Sequence, residues 1–182
     1  MKPNTLIIFI FTLLISNTMA TKMIFDFHKE ADTQAWRIIN DTVMGGQSSS
    51  DFALTKEGHG RFKGHVSLAN NGGFSSLRYD LKPLSVEDYT HISLKIKGDG
   101  KRYQFRVKAK ASDYYSYIYY FETNGQWQTI KIPLNDMYPT FRGRTLDLPN
   151  FSKDTIEELG FLIGNKKEQN FQLLIDHIAL QS

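Results

Sequence analysis

The stretch His91 to Lys108, HISLKIKGDGKRYQFRVK, decides the fold class. Ile92, Leu94 and Ile96 alternate with Ser93, Lys95 and Lys97. Beyond Gly98-Asp99-Gly100, Tyr103, Phe105 and Val107 alternate with Gln104, Arg106 and Lys108. Successive side chains of a strand point to opposite faces, so each run has one apolar and one polar face. The Asp-Gly step between the runs predicts a hairpin, because glycine accepts the positive φ that tight turns require.

The same two-residue period recurs outward from this stretch. Arg61 to Leu68 and Phe74 to Leu81 flank Asn70-Asn71-Gly72-Gly73, a second predicted hairpin. Tyr114 to Phe121, Trp127 to Leu134, Leu159 to Ile163 and Phe171 to Leu180 are further strands, and Pro133 and Pro139 mark where a ladder should stop. Only Lys29 to Trp36 and Lys153 to Leu159 could hold a helical turn or two. The pattern predicts an all-β chain with little helix, folded as one antiparallel β-sandwich or jelly roll over residues 21–182.

Residues 1–20 read as an address. Lys2 precedes the apolar run Leu6 to Ile15, and Thr18-Met19-Ala20 offers small residues for a signal peptidase. That run is short of the roughly 20 residues that cross a bilayer, so no stable span is expected. The segment has no arginine, unlike a mitochondrial presequence. The expectation is export, to the periplasm or outside the cell, with an N-terminal anchor as the alternative.

Of the 182 residues, 41% are hydrophobic and 23% charged, which belongs to a folded globular chain. With no cysteine, disulfides, thiolate zinc sites, iron–sulfur clusters and cysteine nucleophiles are all excluded. A net charge of +3 predicts no nucleic-acid partner. The five histidines, His28, His59, His65, His91 and His177, form no HExxH, and neither a GxSxG elbow nor a phosphate loop is present. Asp26 and His28 share a strand face, but two ligands do not make a metal site. Asp176 and His177 are adjacent and should point to opposite faces. The reading is of a non-enzyme without metal or cofactor.

Four segments are dense enough to carry binding. Trp36 to Ser50 reads WRIINDTVMGGQSSS. Its Trp36, Asp41, Met44, Gly45 and Gly46 describe either an ordered loop packed by Trp36 and Met44 or a binding loop on a rigid scaffold. Arg78, beyond the second turn, is a free donor fork for carboxylate or phosphate. Arg102, Arg106, Lys108 and Lys110 share a parity and, with Lys95 and Lys97 on the neighbouring strand, would form a basic patch for an anionic glycan, headgroup or acidic protein. Asp113 to Phe121 reads DYYSYIYYF. Tyr115, Tyr117 and Tyr119 face one way, while Tyr114, Ile118 and Tyr120 face the other. One set fills the core, and the other would be an aromatic row for stacking sugars or anchoring a protein.

In this order the segments resemble the complex I intermediate-associated protein 30 family. The shared pattern here is Trp36, Asn40, Asp41, Val43 to Gly46 and Ser48; then Phe62, Gly64, Asn70 to Phe74, Ser76 and Arg78. It continues through Gly98 to Gly100, Arg102, Tyr103, Trp127, Ile132-Pro133 and Arg142-Gly143-Arg144, and ends on Gly160-Phe161, Ile163, Lys166, Phe171, Ile175-Asp176 and Ile178. The resemblance implies a galactose-binding-domain-like β-sandwich related to carbohydrate-binding modules. It also implies a non-enzymatic, chaperone-type role in assembling a complex, hence a protein partner; the tyrosine row and basic patch keep carbohydrate binding, with a glycan as ligand, as the alternative. Arg142 and Arg144 join the candidate contacts on the same ground.

Overall fold

Thirteen strands and three short 3-10 turns account for the regular structure of residues 20–182, the part that the computed structural model describes. The leader expected over 1–20 lies, apart from Ala20, outside the described residues. The strands are β1 (Thr21–Asp26), β2 (Trp36–Asn40), β3 (Ser49–Leu54), β4 (Gly60–Val66), β5 (Ser75–Ser85), β6 (His91–Lys97) and β7 (Arg102–Lys108). They continue with β8 (Ser116–Glu122), β9 (Trp127–Pro133), β10 (Tyr138–Phe141), β11 (Arg144–Thr145), β12 (Thr155–Ile163) and β13 (Gln169–Gln181). All pairings are antiparallel. One sheet runs β3-β4-β13-β6-β9 with β1 also on β13, and the other runs β11-β10-β8-β7-β12-β5-β2.

The alternation that predicted strands is what fills the space between the sheets. Phe62, Ile92, Leu94, Ile96, Leu173, Ile175 and Ile178 face Leu77, Tyr103, Phe105, Leu159, Phe161 and Ile163, all fully or almost fully buried. Burying a side chain of this kind contributes about 1.5–3 kcal/mol, and a core of that size stabilises a chain without disulfides.

Both predicted hairpins are instead arches from one sheet to the other. β6 pairs with β13 and β9, whereas β7 pairs with β12 and β8. Likewise β4 lies in the first sheet and β5 in the second. A turn signal fixes where the chain reverses, not whether the flanking strands lie side by side or face each other across a core. Side-chain bonds decide it here. Asp99 accepts from the Tyr103 hydroxyl at 2.9 Å and from the backbone N–H of Gln172 on β13 at 3.0 Å. Thr123 Oγ1 accepts from the N–H groups of Gly100 and Lys101 at 3.1 and 3.0 Å. The expected basic patch splits accordingly: Lys95 and Lys97 belong to one sheet, and Arg102, Arg106 and Lys108 to the other.

The helical turn expected over Lys153 to Leu159 is the start of β12. A bulge between Ile156 and Glu158 shifts the parity, so Ile156 and Leu159 reach the same core three residues apart, a spacing that imitates a helix. Lys29 to Trp36 is a loop leading into β2.

Candidate functional site

The Asn40 to Ser50 segment is organised by one buried carboxylate. Asp41 opens a 3-10 turn (Asp41–Met44) and has no exposed surface. Its Oδ1 accepts from Ser48 N at 2.9 Å, and its Oδ2 accepts from the Ser48 hydroxyl, from Gly73 N at 2.6 Å and from Phe74 N at 3.2 Å. Burial alone would push this carboxyl up; the Ser48 hydroxyl and the N–H groups of Gly73, Ser48 and Phe74 outweigh it and hold it below the usual carboxylate range. Two glycines make the space. A Cβ on Gly46 would overlap the Asp41 carboxyl, and one on Gly72 would lie 2.6 Å from Oδ2. The Asn-Asp, Gly-Gly, Ser and Asn-Gly-Gly-Phe elements of the sequence pattern are therefore the parts of one clamp joining two loops.

The clamp presents an uncharged tip. Val43 and Met44 are 71% and 56% exposed, Leu68 is exposed in the second loop, and Asn70 Nδ2 donates to Gly45 O at 3.2 Å to tie the loops together. Neither Thr42–Ser50 nor Ser67–Leu77 contains a charged residue, although 23% of the chain is charged.

The outward face of the seven-stranded sheet is the opposite in character. Arg37 on β2 makes a bidentate pair with Asp80 at 2.9 and 2.8 Å and reaches Glu158 at 2.7 Å. Arg78 lies 3.5 Å from the other oxygen of that largely buried glutamate. On β7, Arg106 donates to Gln104 Oε1 at 2.8 Å, and Arg102 sits 4.4 Å above the Tyr120 ring. Burial and the charge of Arg78 push the Arg106 guanidinium down to about 10, which leaves it charged at neutral pH.

Tyr115, Tyr117 and Tyr119 turn inward. Tyr117 is 3% exposed and packs on Phe151, while Tyr115 and Tyr119 are half-buried against the core. Trp36 is likewise a core residue, stacked on Tyr79. Arg142 and Arg144 are exposed around the tight turn between β10 and β11, where Arg142 and Gly143 both take positive φ. Of the predicted contacts, the structure brings Arg78 and Arg102 onto one face and Met44 and Gly45 into the tip. Gly46 serves the clamp.

Asp26, Asp176 and His177 place one ligand atom each, two carboxylate oxygens and an imidazole nitrogen, within 4.8 Å of one another. Asp176 and His177 were expected on opposite faces. A bulge at Asp176, which the ladder to β6 skips between Ile175 and His177, breaks the alternation and brings His177 Nδ1 to 3.2 Å from Asp176 Oδ1. Of two cavities, of about 620 and 300 Å³, the larger lies by Tyr89, Pro133 and Phe151 and the smaller by Lys101, Arg102, Glu122 and Lys167.

The family pattern described as complex I intermediate-associated protein 30 matches residues 25–175. The chain belongs to that family. A probable complex I intermediate-associated protein 30, mitochondrial, from Caenorhabditis elegans is 25% identical over 86% of this chain and 52% of its own length. An uncharacterized protein of Schizosaccharomyces pombe is 26% identical over 80% of this chain and 77% of its own. The chain thus spans about half the length of the nematode relative. Among solved structures, the family 11 carbohydrate-binding module of the cellulosomal cellulase Lic26A-Cel5E of Clostridium thermocellum superposes with a TM-score of 0.68 at 20% identity, covering 88% of this chain and 94% of that one. An exo-beta-agarase gives a TM-score of 0.56 at 12% identity over 87% of this chain and 25% of that one. At these identities the likeness is one of fold.

Membership in the complex I intermediate-associated protein 30 family corrects one expectation outright. Relatives in two nematodes are named mitochondrial, which points to the mitochondrion and not to the periplasm or the outside of the cell. The export reading rested on residues 1–20 alone. Among the described residues no helix is long and apolar enough to cross a membrane. Sequence reasoning missed Glu158 and Arg37, whose pairing joins strands 121 residues apart and leaves no local signal.

Proposed function

We propose that this chain acts as an assembly factor for respiratory complex I in the mitochondrion, binding a protein partner while the complex is put together. Family membership across residues 25–175 carries this reading. The clamped tip supports it. Val43, Met44 and Leu68 are apolar, exposed and mounted on two loops that four hydrogen bonds to Asp41 hold together. A rigid apolar contact loses little conformational entropy on binding, which suits a surface that must hold a partner and release it.

The test is deletion of the gene in its own host, with complex I resolved on native gels. Mature complex is expected to fall and smaller intermediates to accumulate, with rescue by the wild-type chain. Unchanged mature complex would refute the reading. A Val43→Ser/Met44→Ser double variant should fail to rescue while melting close to wild type, since exposed substitutions usually change stability by only about 0.5 kcal/mol. Full rescue by this variant would remove the tip from the contact.

A further inference from the structure

Arg102, Arg106 and Lys108 stand on the outward parity of β7, the central strand of the seven-stranded sheet. Among the described residues none of the three is in an ion pair, although five other basic residues and two histidines are. Arg106 has a neutral partner, the Gln104 amide, and Arg102 an aromatic one, the Tyr120 ring. Lys108 donates to two backbone carbonyls, those of Asp113 at 2.7 Å and Ala111 at 3.4 Å. The carboxylates across β12 are already taken, Asp80 by Arg37 and Glu158 by Arg37 and Arg78. Glu158 and Asp80 still act on Arg106 and Lys108 through space, and Glu122 on β8 stands opposite Arg102, but among the described residues no carboxylate closes an ion pair with any of the three. A largely buried guanidinium without a carboxylate costs stability, and that cost is recovered when an incoming anion completes the pair.

We propose that this face binds an extended acidic segment of a partner polypeptide, whose carboxylates pair with Arg102, Arg106 and Lys108 along β7. The inference rests on the reading that the partner is a protein. Spacing and shape favour an extended chain. The three cations sit at alternate-residue parity on a strand that rises about 3.3 Å per residue, so acids on alternate residues of a second extended chain repeat at the same interval. Of the three cations only Arg102 lines one of these two cavities, the smaller, so Arg106 and Lys108 offer a face for a chain laid across it rather than the wall of a small-molecule pocket. Tyr120, 36% exposed beside Arg102, adds an apolar edge against which such a segment can lie.

The probe is a synthetic extended peptide with glutamate at every second position, titrated by calorimetry into the full chain, with its glutamine counterpart as control. The glutamate peptide should bind, weaken steeply with added salt, and leave the glutamine peptide inert. Arg106→Gln should weaken binding by about tenfold or more, with a melting temperature in the absence of peptide at or above that of the wild type. Arg102→Gln, at an exposed position, is a second variant that leaves the fold alone and should also weaken the complex. Equal binding of both peptides, or binding indifferent to both variants, would overturn the proposal. Preference for a polyuronate chain over the peptide would overturn its assignment to a polypeptide. Failure of the peptide with normal loss of complex I on deletion would remove this site and leave the assembly reading standing. Peptide binding in a chain whose deletion spares complex I would do the reverse.

Discussion

Asp41→Asn is expected to destabilise the fold by about 3 kcal/mol or more, read as a fall of roughly 6–12 °C in melting temperature for a domain of this size. The side chain is fully buried and accepts four hydrogen bonds, three of them from backbone N–H groups. An amide keeps one acceptor oxygen and turns the other into a donor. Whichever way it flips, at least one N–H of Ser48, Gly73 or Phe74 then faces another N–H in a place water does not reach. Leaving a buried donor unpaired costs about 1–3 kcal/mol per group, more where the lost partner was charged. Gly46→Ala presses on the same carboxyl from the other side. Its effect and that of Asp41→Asn should therefore fail to add, whereas sites apart from each other add within about 0.5 kcal/mol. A change below about 0.5 kcal/mol for Asp41→Asn would mean the clamp does not hold the loops.

The same carboxylate sets an acid limit. Its pKa is held below the usual carboxylate range in the folded state. The folded protein thus binds this proton less readily than the unfolded chain does. Its contribution is complete above the unfolded value and is lost as pH falls through the folded one. Wild type should lose stability more steeply below about pH 4 than Asp41→Asn, which has no such proton to take up. Parallel curves for the two, measured by urea denaturation from pH 6 downward, would count against the assignment.

How much of this was legible depended on the range over which each signal acts. Strand parity is local, and it placed Ile92, Leu94, Ile96, Tyr103, Phe105 and Val107 in the core correctly. Sheet membership is not local. Asp99 and Thr123 commit the turn at Gly98 to an arch through Gln172 on β13 and the backbone at Lys101, and no pattern within 91–108 contains those partners. Bulges mislead in a characteristic way. At Asp176 one inserted residue gathers Asp26, Asp176 and His177, while in β12 a bulge after Ile156 imitates helical spacing. The tyrosines were a genuine ambiguity, since Tyr115, Tyr117 and Tyr119 alternate with Tyr114, Ile118 and Tyr120 and either set could fill the core. The core took the set whose Tyr117 meets Phe151, leaving Tyr114 and Tyr120 outside. Asp41 was legible as important but not in kind. Its aspartate, glycines and serine suit a binding loop as well as a clamp, and only the zero exposure of the carboxylate decides between them.

Trp36→Ala should cost about 3–5 kcal/mol, the range for removing a large aromatic side chain from a core. Trp36 is 7% exposed and lies against four rings: Tyr79 stacked at 4.7 Å, Phe27 at 5.3 Å, Phe25 edge-on at 5.4 Å and Phe52 at 5.6 Å. Those rings come from β1, the loop after it, β3 and β5, so one side chain joins the edges of both sheets. The indole N–H has no hydrogen-bond partner among the described residues. That separates packing from polarity: Trp36→Phe gives up no hydrogen bond and should cost well under half of what Trp36→Ala does. A tryptophan kept as a stacking platform for a ligand would behave otherwise, with Trp36→Ala sparing the melting temperature and abolishing binding. The ordering of wild type, Trp36→Phe and Trp36→Ala in a thermal melt therefore tells the two roles apart. If Trp36→Ala melts within about 2 °C of wild type, the aromatic cluster is not what joins the sheets at this edge.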